Sequence, residues 1–173
     1  MSIMSSILGV CVPPGDVRTD ICCFVDVTAL YSDDRPSSVS LSRAVKSGMH
    51  LDRLLTAYGC EALYVLREPV AVLDSDAISN AIAAMERLFS QIAADPQRAL
   101  ACAYWECTAQ QLVDAASGPE VTPVQDDAED EEGESLQHVI RYLKALMVVL
   151  RHAQAQELVV VQGHSHQLDG AEN

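Results

Sequence analysis

Positive charge is scarce in this chain of 173 residues. Eleven Lys and Arg stand against twenty-five Asp and Glu, for a formal net charge of −14. That balance argues against binding nucleic acid or anionic lipid, whose phosphates would repel it. Aromatic residues make up only 5%, with one Trp and two Phe. Any core must therefore be built from Leu, Val, Ile, Ala and Met. No apolar run approaches the roughly 20 residues that a membrane-crossing helix needs. The eight glycines are scattered, and no Gly-rich phosphate loop, Gly-x-Ser-x-Gly elbow or His-Glu-x-x-His pair occurs. Six cysteines, at 11, 22, 23, 60, 102 and 107, include no Cys-x-x-Cys pair. Thiols in apolar contexts, with no basic residue ahead of the short apolar stretch at the N-terminus, lead us to expect a reduced, cytoplasmic protein.

What is present is a globular composition, 49% hydrophobic and 21% charged, of a length that suits one domain over residues 1–173. Seven of the nine residues from Asp126 to Glu134 are acidic. An ordinary core does not accept such a run, because each carboxylate would need a partner or a proton. The run therefore belongs in water or against a basic partner. Asp126, Asp127, Glu129, Asp130, Glu131, Glu132 and Glu134 are the candidate partner-binding residues. Glu120 and the exposed sides of the helices are further possibilities. The bland alternative is a solubility tether.

The pattern along the chain predicts an α+β fold, mostly helical with a small sheet of short strands. Residues 1–12 read as extended, closed by Pro13-Pro14-Gly15. An apolar stretch at 21–30 suits a strand or a short helix, and 32–38 a polar loop. A helix is expected over 40–57, weakened at Gly48 and capped by Gly59, followed by a short strand at 62–66. The clearest helix spans 74–94: Ile78, Ile82, Met85, Phe89 and Ile92 share one face, and Asp74, Ser75 and Asp76 suit its N-terminus. A second runs over 97–116 and stops at Gly118-Pro119. An acidic loop occupies 117–134, a third long helix begins near 134–135, a buried strand covers 157–162, and a flexible polar tail follows at 163–173.

Candidates for chemistry are few. His164 and His166 alternate as metal ligands can, but in a stretch read as tail. His138 and His152 are about 40° apart on one helix and on the order of 20 Å apart along it, too far to share a ligand. Cys102 and Cys107 flank Tyr104-Trp105-Glu106 with no basic residue beside them, so packing is the better account of both. The acidic run lacks the spacing of a calcium loop. These residues lead us to expect no catalytic residues, no metal and no cofactor.

The segment Leu41-Ser42-Arg43-Ala44-Val45-Lys46, then Met49-His50 and Leu54-Leu55-Thr56, resembles a helix motif of the YfbM-like family of small bacterial proteins of unknown function. Ser42 and Val45 stand where that family has Asp and Trp. The stretches from Arg67 to Ile78 and from Tyr142 to Val161 are similar to it in character. The resemblance implies an α+β fold and a bacterial source, and brings no catalytic residues. Members of such families are sometimes found beside toxins as immunity proteins.

Three functions fit these residues. The first is an immunity-type inhibitor that neutralises a basic toxin or effector, its basic protein partner. The second is an oligomeric housekeeping protein. The third is an enzyme with a dispersed site around Trp105, Glu106 and His50.

Overall fold

The computed structural model describes residues 3–17, 38–40, 48–68, 71–101, 107–120 and 136–168. In chain order its elements are β1 (Ile3–Val12), a 3-10 turn (Pro14–Asp16), β2 (Ser38–Ser40), α1 (Gly48–Ala57) and a 3-10 segment (Glu61–Arg67). They continue with β3 (Ala71–Leu73), α2 (Ser75–Ala94), α3 (Pro96–Leu100), α4 (Ala109–Ser117), α5 (Leu136–Ala155) and β4 (Val159–Leu168). The fold is α+β: helices dominate, and four strands form one antiparallel sheet in the order β2-β1-β4-β3.

The sheet is built on its two long strands, which lie near opposite ends of the sequence. All ten residues of β1 pair with β4, from Ile3 opposite Leu168 to Val12 opposite Val159. The flanking strands are short: β2 pairs Leu8–Val10, and β3 pairs Val160–Gln162. Cys11, Val160 and Leu73 share a register row and are buried in the main core. Val12, Val159 and Val161 alternate to the opposite face and are buried too, which explains why this part of β4 reads as an unbroken apolar run.

The helices follow local rules. Asp74 caps α2 by accepting the Ala77 N–H at 2.9 Å. Ile78, Ile82, Met85, Phe89 and Ile92 are all buried, each worth on the order of 1.5–3 kcal/mol as removed apolar surface. Thr108 and Gln111 form a reciprocal capping box at the start of α4. Helix α1 ends at Gly59 (φ 67°), where the Cys60 N–H reaches Leu55 O at 2.8 Å and the Gly59 N–H reaches Thr56 O at 3.2 Å. The same motif ends α5, but with Glu157 (φ 55°) in the left-handed position that glycine usually fills. Gly118, after α4, is a glycine for another reason: a Cβ there would lie 2.9 Å from Asp114 O.

Several expectations need correction. Residues 62–66 are not a strand but part of the 3-10 segment. Leu63 and Leu66 are buried three apart, a repeat that fits three residues per turn. Of the helix expected over 40–57, Gly48–Ala57 is helix, Ser40 belongs to β2, and 41–47 lie outside the described residues. The helix expected over 97–116 is two helices, α3 and α4. The flexible tail expected at 163–173 is instead strand as far as Leu168, because β1 offers a backbone partner to every residue of β4. The apolar stretch at 21–30 lies outside the described residues, as do 32–37 and 169–173.

Candidate functional site

Asp126, Asp127, Glu129, Asp130, Glu131, Glu132 and Glu134 lie outside the described residues, but both ends of their segment are fixed. Upstream, Gly118 to Glu120 lie against α5. The Lys144 ammonium donates to Gly118 O at 2.9 Å and stands 4.3 Å from the centre of the Phe89 ring. Arg151 Nε donates to both carboxylate oxygens of Glu120, at 2.8 and 2.9 Å, and its terminal nitrogen to Glu86 Oε1 at 2.8 Å. Downstream, the segment ends at Leu136, the first residue of α5.

Two consequences follow. Glu120 is held by Arg151 within the chain, so it is a weaker candidate for an outside partner than sequence alone suggests. The described residues hold eleven carboxylates and seven Lys and Arg, a net of −4 against −14 for the whole chain. The acidic run alone supplies seven of the fourteen excess negative charges. The run is the densest concentration of negative charge in the chain.

The cluster around Arg151 also sets the state of its cations. Hydrogen bonds donated to Glu86 and Glu120 hold the Arg151 guanidinium in its charged form. Burial pushes the Lys144 pKa down, with Glu120 opposing and Arg151 adding to the shift. In the window between this lowered value and 10.5, the unfolded chain binds more protons than the folded one. Stability attributable to Lys144 therefore rises with pH across that window. Lys144→Met should cost no more than about 1 kcal/mol at pH 7, since an apolar residue of similar length refills the site. It should also remove this alkaline rise. Urea titrations of both proteins from pH 7 to 10.5 check this by difference, which cancels the opposing effect of Cys60. An unchanged slope in the variant would show that Lys144 is not the source.

Burial raises the pKa of the Cys60 thiol, with Arg87 only partly offsetting it, so Cys60 is a poor nucleophile. Cys60 Sγ contacts Tyr58 O and Gln91 Oε1 at 3.6 and 3.8 Å. Trp105 and Glu106 lie outside the described residues, and His50 is a residue of α1. No group of three or more His, Cys, Asp or Glu among the described residues could hold a metal. None of the described helices is long and apolar enough to cross a membrane. Sequence reasoning missed Glu86, Lys144 and Arg151. The signal available was a lysine inside the apolar stretch of α5.

No protein family, no curated protein and no solved structure matches this chain.

Proposed function

We propose that this chain is a non-catalytic binding protein of the immunity type, which neutralises a basic bacterial toxin or effector through its acidic run. The observation that carries the reading is the distribution of charge. A chain acidic merely for solubility would spread its carboxylates over its surface. Here seven of the chain's fourteen excess negative charges fall within the nine residues 126–134, which lie between α4 and α5 in the sequence. Such a field raises the rate of encounter with a basic protein and acts less on dissociation.

The test is to replace Asp126, Asp127, Glu129, Asp130, Glu131 and Glu132 by Asn or Gln and to measure association with the basic product of a neighbouring gene over a salt series. The expected result is association slowed several-fold, with thermal stability changed by less than about 0.5 kcal/mol. Wild-type association should slow in the same way as salt rises, because fields are screened beyond about 10 Å at 0.1 M. Equal rates for the two proteins with no salt dependence would overturn steering, and no binding at all would overturn the immunity reading.

A further inference from the structure

Read from sequence, His164 and His166 fall in a polar tail, where nothing holds alternating histidines together. The structure places them in β4 instead. The register with β1 runs without a break from Val159 opposite Val12 to Leu168 opposite Ile3, with His164 opposite Ile7 and His166 opposite Ser5. An unbroken register keeps strict alternation, so the two histidines occupy one face of the strand, with Cα atoms about 6.8 Å apart. That span suits two imidazoles closing on one metal ion, each metal–nitrogen bond being about 2.0–2.1 Å. A coil of the same sequence would have to order both residues before they could chelate.

The face they share also carries Val160 and Gln162, both fully buried. At Gln162 it turns from apolar to polar. Gln162 stands in a register row with Gly9 and Ala71. Its Nε2 has two acceptors, but its Oε1 has no hydrogen-bond partner. A buried acceptor without a donor is uncommon. A histidine bound to a metal through one ring nitrogen keeps an N–H on the other, which ordinarily donates to a carbonyl or carboxylate. Three successive positions of this face thus carry an acceptor that lacks a donor and two imidazoles. The flanking strands stop short of the histidines: β2 pairs with Leu8–Val10, and β3 with Val160–Gln162. Among the described strands, the stretch from Ile3 to Ile7 and that from His164 to Leu168 make a two-stranded ribbon, which by itself has marginal stability in water.

We infer that His164 and His166 form a chelating site on β4 for a divalent transition metal ion such as Zn²⁺, Ni²⁺ or Cu²⁺, with Gln162 Oε1 as the acceptor for the free N–H of the first imidazole. Neutral imidazoles select these ions over Mg²⁺ and Ca²⁺, which prefer oxygen. Two protein ligands leave coordination positions for water or for a donor from another molecule. The ion clips the ribbon, because it binds the strand conformation better than the coil. The site does not depend on the acidic run or on what that run binds.

Ni²⁺ is the probe, titrated calorimetrically into the untagged full chain at about pH 7.5, where imidazole is neutral. The wild type should bind one ion. His164→Ala and His166→Ala should each weaken binding about tenfold or more, and the double variant little further, because a single imidazole does not chelate. His152→Ala, at an exposed position of α5, should leave binding unchanged. The decisive variant combines Ser165→His with His166→Ser. It keeps two histidines but sets them on opposite faces of the strand, and should bind as weakly as either single variant. Ni²⁺ at about 100 times its Kd should raise the wild-type unfolding midpoint by several degrees and leave that of the face-swapped variant in place. Gln162→Met should weaken binding about tenfold while leaving the visible absorption of bound Cu²⁺ unchanged, which loss of either ligand would shift. Equal binding by the wild type and the face-swapped variant, or by the wild type and His164→Ala, would overturn the site, the ion then being held by thiols or by an unfolded stretch. Unchanged affinity in Gln162→Met would overturn the part given to Gln162.

Discussion

Gln162→Glu should destabilise the fold by about 3 kcal/mol or more at pH 7. Gln162 is fully buried in β4. Its amide nitrogen donates to Val65 O at 3.0 Å and to Glu68 O at 3.3 Å, tying the end of the 3-10 segment to the sheet. Two carbonyl acceptors fix which end of the amide carries the hydrogens. Its oxygen has no hydrogen-bond partner. A glutamate would place a carboxylate oxygen against both carbonyls, at a fully buried position. The group would stay protonated in the folded protein and ionise in the unfolded chain near its ordinary value of about 4.3. Above that value the folded state binds more protons, so the variant loses stability as pH rises and recovers part of it in acid. Gln162→Met separates charge from hydrogen bonding. It strands two carbonyls but removes the orphaned oxygen, and should cost about 1–3 kcal/mol with no added pH dependence. Denaturant titrations of both variants at pH 4.5 and 7 decide the matter. Equal losses at the two pH values for Gln162→Glu would show that water reaches the site.

Where the sequence was readable, the determinants were local. Helix α2 carries its periodicity, its Asp74 cap and its stop at Asp95-Pro96 within a short window, and it folds as the pattern predicts. The start of β4 is legible for a similar reason, since Val159 to Val161 are buried on both faces. Its continuation to Leu168 is not legible. Gly163 to Leu168 are polar in composition, and what makes them strand is a register with β1 from the other end of the chain. Likewise Ser38 reads as the end of a loop and Ser40 as the start of a helix until pairing with Val10 and Leu8 makes both of them strand. Leu63 and Leu66 fit a short strand or a tight helix equally well by composition, and only packing separates the two. At the candidate site the acidic run was visible as composition alone. The residues that fix its upstream end were not, because Arg151 meets partners 31 and 65 residues away in sequence.

Tyr58→Phe is the second change expected to have a large effect, and its cause is again a contact that no local pattern reveals. Asp95 O and Ala99 N are the pair that would ordinarily close the first turn of α3. The Tyr58 hydroxyl stands between them, donating to Asp95 O at 2.6 Å and accepting from Ala99 N at 3.0 Å. Tyr58 is 5% exposed and Ala99 is fully buried, so water cannot readily replace the hydroxyl. Arg98 lies over the same ring at 5.9 Å from its centre and donates to Ala57 O at 3.3 Å, so ring stacking and the link between α1 and α3 survive the substitution. The loss is then the partner of the buried Ala99 N–H, about 1–2 kcal/mol, while Asp95 O, on an exposed residue, can turn to water. Urea unfolding should show a lower midpoint with an unchanged slope, because the surface exposed on unfolding is the same. A loss below about 0.5 kcal/mol, the scale of an inconsequential surface change, would mean that α3 closes its own first turn once the hydroxyl is gone. In that case Tyr58 holds the corner between α2 and α3 by its ring alone.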